Sequence, residues 1–277
     1  MKSRALRLLA LSFFLLPLLA LNAFADSVVN LGTAGTFGVL AGSTVTNTGS
    51  SVISGNVGVS PGLAVTGFPP GIVNAPPIHF GDAVAQQAQS DLTTAYNKAA
   101  GLTPPVVLTG QDLGGLTLTP GVYFFAKSAQ LTGTLTLDTQ GNPNAQFVFQ
   151  IGSTLTTASN SFVVFSNSLT DSNVFWQVGS SATLGTTTSF QGNILALTSI
   201  TLNTAATIGC GSALARNGAV TLDSNTIGGG CSSTSGNGGG GTSTVPEPGT
   251  LGLLGTGLVT LAGAARRKMR ISHSVRP

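Results

Sequence analysis

The sequence predicts an all-β-dominated fold in which short strands stack as a β-solenoid, with one long α-helix beside it. Charged residues make up only 7% of the 277 residues, whereas Thr, Val, Phe and Gly dominate, and this composition favours strands over helices. Three similar strands also align Thr183, Thr201 and Thr221 at spacings of 18 and 20 residues. A period near 20 without a long helix inside it is typical of a β-helix coil, which has three short strands and three corners.

The first 25 residues have the features of a secretory signal peptide. A basic start is followed by an apolar run and an Ala-Phe-Ala end, so we expect cleavage after Ala25 and a mature chain that begins at Asp26. A membrane-spanning helix is the alternative interpretation, but the apolar run is short and ends in a small-x-small site.

A helix is predicted from Asp82 to Ala100. Asp82 is suited to cap its N-terminus, and Gly101 and Pro104 mark its end. Apolar side chains three or four residues apart form one stripe, at Val84, Ala88, Leu92, Ala95 and Ala99. Most of them are Ala, so the helix can lie close against a flat surface.

Short apolar segments rich in Phe follow the helix and are predicted to be strands, at 121–126, 145–152, 161–165, 173–179 and 192–197. Thr-rich strands lie between them. If successive coils stack at the strand spacing of about 4.8 Å, apolar side chains form ladders inside the solenoid and Thr side chains form ladders outside it. Trp176, in one of the apolar strands, is predicted to lie in the core.

The C-terminal region predicts a linker and a sorting tail after a single domain at 26–231. Residues 232–244 are a run of Gly, Ser and Thr with the composition of a flexible linker. The tail, 245–277, begins with Val245, Pro246, Glu247 and Pro248 and continues with an apolar stretch and a basic cluster. It resembles the PEP-CTERM sorting signal of Gram-negative bacteria, and this resemblance implies recognition in the inner membrane and cleavage by an exosortase. The apolar stretch is marginal for spanning a bilayer, and we expect the basic cluster to stay cytoplasmic.

The two cysteines, Cys210 and Cys231, belong to a chain predicted to be exported, so we expect a disulfide between them. An unstrained disulfide of this separation would contribute about 3 kcal/mol to stability. Two free thiols are the alternative.

The charged residues exclude several classes of function. Residues 26–244 carry seven Asp against Lys98, Lys127 and Arg216, so this region is weakly acidic and has no basic footprint for nucleic acid. It contains no Glu, which argues against the paired carboxylates of a polysaccharide lyase or hydrolase. The same region has one histidine, His79, which cannot form a zinc site with two paired cysteines, and nucleophile-elbow and phosphate-loop motifs are missing from it. We therefore expect no enzyme activity, no cofactor and no metal, with a polysaccharide-active enzyme as a minor alternative.

A solenoid face of Thr is a flat and regular array of hydroxyl and methyl groups. The hydroxyl can hold a water molecule, and the methyl limits how that water turns. Coils set one spacing of the array at about 4.8 Å, and alternate residues along a strand set the other at about 6.6 Å. Such an array matches ordered water, so it suggests an ice-like layer on the protein. The simpler interpretation is that Thr is a good strand residue.

Several segments together resemble the microbial ice-binding-protein-like family. They are FGVLAGSTVTNTGSSVISGNVGVSPG at 37–62, the Ala-rich helix, LTPGVYFF, NPNAQFVFQIGSTLTT, NVFWQVGSSATLGTTTSFQGNILALTSITLNTAATI and ALARNGAVTLDSNTI. The resemblance spans nearly all of 30–228. It implies a right-handed, discontinuous β-solenoid of triangular section, with the helix packed alongside and the N-terminal strands beside the C-terminal coils.

Members of this family often carry Thr-Ala/Gly-x-Thr/Asn on an ice-binding face. By resemblance, the candidate ice-binding residues are Thr48, Ser51, Thr157, Asn160, Thr186, Thr188, Thr204, Thr207, Ser224 and Thr226. The copy at 186–189 departs from the pattern at its second place, and the copy at 224–226 is one residue short. Strand alternation places every second residue on one face, so a corner must intervene between positions three apart.

The resemblance implies a secreted ice-binding (antifreeze) protein that adsorbs to ice and inhibits its growth and recrystallisation. The alternative is a cell-surface or matrix protein that binds exopolysaccharide. A flat, charge-free array of Thr favours ice, whereas a groove lined with aromatic side chains and Asp favours sugar. We expect export through the inner membrane and a location outside the cell or on its surface after tail cleavage.

Overall fold

The computed structural model describes residues 29–74, 77–103, 106–142, 144–166 and 173–228. They belong to one compact unit that extends to Ser232, and a second unit covers Ser233–Pro277. The signal peptide, the linker and the sorting motif at 245–248 lie outside the described residues, so the predicted domain boundaries stay predictions. No helix in the described ranges is long and apolar enough to cross a membrane.

The N-terminal part forms short strands before the helix. A 3-10 helix at Gly32–Thr36 precedes β1 Phe37–Ala41, β2 Thr44–Thr48, β3 Val52–Ile53, β4 Asn56–Val59, β5 Ala64–Thr66, β6 Ile72–Val73 and β7 His79–Phe80. The helix α1 spans Ala83–Ala100.

The strands after the helix continue the coils. They are β8 Val106–Val107, β9 Thr117–Leu118, β10 Gly121–Phe125, β11 Ala129–Leu131, β12 Thr134–Leu137, β13 Phe147–Ile151, β14 Leu155–Thr157, β15 Phe162–Phe165, β16 Val174–Val178, β17 Ala182–Leu184, β18 Ser189–Phe190, β19 Asn193–Ala196, β20 Ile200–Leu202, β21 Thr207–Ile208, β22 Ala213–Ala215, β23 Val220–Asp223 and β24 Thr226–Ile227.

These strands form three parallel sheets, and a typical coil adds one strand to each. Sheet A runs β7-β4-β1-β22-β19-β16-β13-β10-β8, sheet B runs β11-β14-β17-β20-β23-β2-β5, and sheet C runs β6-β3-β24-β21-β18-β15-β12-β9. The chain passes from A to B to C and back, so it turns at an A–B, a B–C and a C–A corner. The predicted β-solenoid of triangular section is confirmed.

The spatial order of the coils differs from their order in the sequence. In sheet A, β1 pairs with β22 on one side and with β4 on the other. Likewise β2 pairs with β23, and β3 pairs with β24. The N-terminal coils therefore continue the stack beyond the last coil, which is the discontinuity that the family resemblance implied.

Apolar ladders fill the interior. The rings of Phe149 and Trp176 stack with centroids 3.8 Å apart, and Tyr123 and Phe190 extend the row at 5.3 and 4.8 Å. Trp176 is fully buried, as predicted. Contacts between aromatic rings at these separations stabilise the core in addition to the stabilisation from burying their apolar surface.

The helix lies against the outer surface of sheet A. The Asp82 side chain caps it by accepting a 2.9 Å hydrogen bond from the Ala85 N–H. Ala88, Leu92, Ala95 and Ala99 are buried as the stripe predicted. Val84 is 47% exposed, however, and Ala85 is buried in its place. The predicted stripe was wrong at this position because the first helical turn meets the sheet one residue later than assumed.

Gln150 secures the other end of the helix. This side chain is buried in β13, and its Nε2 donates to the carbonyl oxygens of Ala99 at 2.8 Å and Leu102 at 2.9 Å. The last carbonyls of a helix have no partner within the helix itself. Gln150 therefore satisfies the Ala99 carbonyl in the last turn and the Leu102 carbonyl just beyond the helix, and it fixes α1 on the sheet.

Candidate binding face

The outer surface of sheet A is closed by the helix. Large apolar side chains point outward there and pack against α1, namely Leu40, Val148, Phe175, Leu195 and Leu214. All of them are buried. Among the described residues, the outer surfaces of sheets B and C are the long faces that no helix covers.

The outer surface of sheet B carries one continuous row of threonines. The strand register pairs each Thr with the next along the stack, in the order Thr156, Thr183, Thr201, Thr221, Thr46 and Thr66. We call this row the threonine ladder. Its side chains are exposed or half-buried. Five steps at the strand spacing of about 4.8 Å give it a length of about 24 Å.

A second row lies two residues before the ladder row, at or just before the start of β11, β14, β17, β20, β23 and β2. This serine column consists of Ser128, Thr154, Ser181, Ser199, Ala219 and Thr44, five of which carry a hydroxyl. Hydroxyls in it bond along the stack, because Thr154 Oγ1 donates to Ser128 Oγ at 2.8 Å and the Ala219 N–H donates to Ser199 Oγ at 3.2 Å. The two rows make the surface polar without charge.

A third row borders sheet B at the B–C corner. This corner column consists of Ser159, Thr186, Thr204, Asp223 and Thr48, which are exposed except for the half-buried Asp223. Thr204 Oγ1 donates to Asp223 Oδ2 at 2.5 Å. Together the threonine ladder, the serine column and the corner column form what we call face B.

Each coil turns sharply directly after the corner column. The next residue has a positive φ, at Asn160 (55°), Thr187 (56°), Ala205 (59°), Ser224 (55°) and Gly49 (74°). The N–H of the first four donates to the carbonyl of a corner-column residue in the next coil, at 2.9–3.0 Å. Left-handed backbone is uncommon outside Gly, and the stacked coils hold it here.

Three of the predicted site residues are corrected by this geometry. Ser51 and Thr188 are fully buried and Thr157 is 3% exposed, so these three side chains do not reach the surface. Thr157 Oγ1 lies 2.8 Å from Thr188 Oγ1 and accepts a 2.8 Å bond from the Gly185 N–H. Ser51 Oγ accepts a 2.9 Å bond from the Asn225 N–H. These hydroxyls satisfy buried backbone groups behind the B–C corner.

The other predicted residues fall on both sides of that corner. Thr48, Thr186 and Thr204 belong to the corner column, and Asn160 and Ser224 occupy the left-handed turn. Thr207 and Thr226 lie on β21 and β24 in sheet C. Positions three apart therefore flank the corner instead of sharing one flat surface.

The motif at 157–160 is also out of register with the others. The backbone N–H of Asn160 donates to the Thr186 carbonyl. Ser159 therefore occupies the position in its coil that Thr186 and Thr204 occupy in theirs. The four-letter match alone did not reveal this shift of two residues.

The threonine ladder is the part of face B that the predicted site omitted. A signal for it existed in the spacing of Thr183, Thr201 and Thr221. Thr46 and Thr66 could not be joined to that series from spacing alone, because they come from the N-terminal coils that join the stack after β23.

Within the three rows of face B the charged residue is Asp223 of the corner column, and Asp112 adds a charge at one end of the face. The backbone of Asp112 forms an isolated parallel β-bridge with Gln130, at the end of the stack beyond β11. Partial burial acts to raise the pKa of Asp112, but hydrogen bonds from the Gly114 N–H and from Thr132 outweigh it, and the pKa is lowered. Asp112 is therefore a carboxylate at neutral pH. The described ranges contain no group of three metal-ligating side chains.

Sheet C has a different outer surface. Phe162 is 41% exposed, and Val164 and Ile72 are also exposed among shorter polar side chains. Face B contains no aromatic side chain in any of its three rows. The groove of aromatic side chains and Asp that would favour a sugar ligand is therefore not found on face B.

Cys210 is buried near the C–A corner, and none of the described cysteines is free. Its expected partner, Cys231, lies outside the described residues. The pairing of these two residues stays a prediction.

Comparisons with known proteins identify relatives of the whole domain. A sequence model of the Ice-binding-like family matches residues 39–228, and one of the PEP-CTERM protein-sorting motif matches residues 244–268. An ice-binding protein of Nostoc sp. (strain HG1) is 60% identical over 250 residues, which cover 90% of this chain and 91% of that protein.

Solved structures agree with these matches. The crystal structure of an ice-binding protein from an Antarctic biological consortium has a TM-score of 0.70 at 51% identity, over 73% of this chain and 91% of that chain. The ice-binding protein of the Antarctic ascomycete Antarctomyces psychrotrophicus has a TM-score of 0.69 at 42% identity, over 72% of this chain and 97% of that one. The resemblances noted in the sequence, to the family and to the sorting signal, are both confirmed. The chain belongs to the ice-binding-like protein family.

Proposed function

We propose that this protein binds ice through face B and thereby inhibits ice growth and recrystallisation. The observation that carries the proposal is the threonine ladder, six threonines in register along the uncovered outer surface of sheet B. The relatives named above are ice-binding proteins, and this agrees with the geometry. We propose no catalytic role for the chain.

The mechanism follows from the rigidity of the array. Five of the six threonines lie in strands that pair on both sides, and Thr66 lies in the edge strand β5. A β-branched side chain also keeps few rotamers in a strand. The hydroxyl and methyl groups therefore repeat at the coil spacing. Their side chains have little conformational entropy to lose when the protein adsorbs to ice. Water ordered over this array can merge with the surface of an ice crystal. An adsorbed protein then forces the ice front to grow as curved surface between molecules, which opposes growth.

The corner column extends the array by one row. Thr186 and Thr204 are exposed there, and Asp223 fixes the direction of the Thr204 hydroxyl. We propose that these residues and Thr48 contact ice together with the ladder. Asn160, Thr207, Ser224 and Thr226 lie beyond the edge and would contact ice only at the margin.

The sorting signal supports export, and we propose that an exosortase-type enzyme processes the tail after Val245, Pro246, Glu247 and Pro248 pass the inner membrane. The final location would be the cell surface or the extracellular space. We also propose that Cys210 and Cys231 pair in that oxidising environment.

The domain is expected to fold alone, because it has its own core and the solved relatives consist almost entirely of it. The test is therefore made on residues 26–231, with thermal hysteresis and recrystallisation inhibition as readouts. Thr201→Tyr places a bulky ring in the middle of the threonine ladder, and we expect it to abolish most of the activity.

The matched control is Thr134→Tyr. Thr134 is exposed on sheet C next to Phe162 in the register, so an aromatic side chain is already tolerated in that row. We expect full activity from this variant, and both variants should keep the circular dichroism of the parent. A folded parent domain without any effect on ice would contradict the proposal, and binding to exopolysaccharide would then be examined.

A further inference from the structure

The chain leaves the solenoid at the corner opposite face B. Gly228 follows β24 and enters the C–A corner, where its N–H donates to the Ile208 carbonyl at 3.0 Å. It is packed between neighbouring coils, since a Cβ on Gly228 would lie 2.6 Å from the Ser54 carbonyl oxygen. In a prism of three sheets, the C–A corner is the edge that faces away from sheet B.

This exit lies along the side of the stack and not at one of its ends. In sheet C, β24 pairs with β21 on one side and with β3 on the other. Coils thus extend past the exit in both directions, so an attachment at Gly228 holds the solenoid by its flank.

The N-terminal end of the described chain also avoids face B. Val29 is buried in the cluster formed by the helix and the outer surface of sheet A. Its N–H donates to Gln146 Oε1 at 3.3 Å, next to the start of β13 in sheet A. Val29 and Gly228, the two ends of the described range, therefore both lie on sides of the solenoid other than face B.

The lengths of the connections between strands also differ between face B and the other sides. The connections between β12 and β13 and between β15 and β16 are the longest within the regular coils, and both join sheet C to sheet A. The named strands of sheet B are joined to sheets A and C by five residues or fewer. The connections beside the threonine ladder are thus all short.

We propose that the protein binds ice while its C-terminal end is still attached to the cell envelope, so that it fastens cells to ice. The proposal rests on the ice binding proposed above. The sequence supplies a tether between the exit and the sorting motif, because residues 232–244 are 13 Gly, Ser, Thr and Asn residues.

The proposed disulfide between Cys210 and Cys231 would give this arrangement a second point of attachment. Cys210 lies in the same C–A corner, in the connection after β21, one coil from Gly228. A disulfide to Cys231 would tie the start of the linker to this corner. A force applied to the tail would then act on the disulfide-linked corner before it acted on the hydrogen bonds between β24 and its neighbours.

The test compares two ways of attaching one domain to a bead. Residues 26–244 are coupled to streptavidin beads through a biotin placed after Thr244, at the C-terminal end of the linker. The matched variant, Thr201→Cys, is coupled through a biotin on that cysteine, with the two native cysteines kept oxidised. A slowly growing ice front is passed through each bead suspension, and the beads in the ice and in the liquid are counted.

We expect the C-terminally coupled beads to enter the ice at least tenfold more often than beads coupled through position 201. Equal exclusion of both kinds of bead, with free domain that does enter the ice, overturns the tethered function and leaves the proposed ice binding intact. If the free domain is itself excluded from the ice, the ice-binding proposal fails and the tethered function fails with it.

Discussion

The outer surfaces of sheets A and B are built from the same coils but have opposite chemistry. One coil presents Phe175 on sheet A and Thr183 on sheet B, and the next presents Leu195 and Thr201. The apolar surface is sealed by α1, whereas the Thr surface is left open. The backbone of a solenoid coil therefore does not decide what a face does. The outward residues of each strand decide whether that face recruits a helix or remains exposed.

The largest effect that separates the two faces is expected from truncating one outward residue on each. Phe175→Ala leaves a cavity beneath the helix and should lower the free energy of unfolding by about 3–5 kcal/mol. Thr183→Ala, on the exposed face of the same coil, should change it by no more than about 0.5 kcal/mol. Urea unfolding followed by circular dichroism measures both. Equal losses in the two variants would show that face B also carries packing energy.

Glutamine provides a second matched pair. Gln150→Leu removes the donor to the Ala99 and Leu102 carbonyls at the end of α1, and we expect a loss of about 1–3 kcal/mol. Gln130→Leu, on the exposed end of sheet B, should leave stability within about 0.5 kcal/mol of the parent. Hydrogen exchange of the last helical turn provides an independent readout. An unchanged exchange rate in Gln150→Leu would mean that water replaces the lost donor.

Neighbouring threonines sharpen the comparison within a single strand. Thr157→Val removes the partner of Thr188 and Gly185 behind the corner and should cost about 1–3 kcal/mol, while ice activity per folded molecule is kept. Thr156→Val keeps a methyl group on the threonine ladder but loses the hydroxyl. It should keep its stability within about 0.5 kcal/mol and lose part of its ice activity. The reverse outcome would place the binding surface elsewhere.

The smallest expected effect is on the stability of the domain at acidic pH. The Ala85 N–H and then His79, whose Nδ1 lies 2.7 Å away, hold the pKa of Asp82 below its ordinary value of 3.8. A carboxyl with a lowered folded-state pKa adds stability above its unfolded pKa, and that stability is lost as the pH falls through the folded pKa. We expect Asp82→Asn to be less sensitive to acid than the parent below about pH 4. The threonine ladder does not titrate there, so ice activity should be level between pH 7 and 5.

The sequence was sufficient to predict the solenoid, the helix and the buried Trp176, because each depends on a local pattern. Period, composition and an N-cap can be recognised without knowing which strands are neighbours. The position of Thr46 beside Thr221 depends on a pairing between residues far apart in the chain, and no local signal encodes that pairing.

The predicted site was less successful for a related reason. Thr157 and Thr204 both begin a matching four-letter motif, but one is buried and the other exposed. What separates them is the place of the left-handed residue, which is Asn160 in one coil and Ala205 in the other. That place is set by the stacking of adjacent coils, so a motif read along one coil cannot supply it.

The last part of the domain to be synthesised, β22 to β24, occupies a place inside the stack. Before it emerges, β1 to β3 lack their neighbour on one edge, and β19 to β21 lack theirs. The three sheets therefore remain in two pieces until nearly the whole domain has been translated and exported. A chain that stops before β22 is left with two sets of open strand edges, which pair readily with other chains. Premature termination should therefore yield aggregates instead of a shorter working protein, and quality control of this domain is needed most at its final coil.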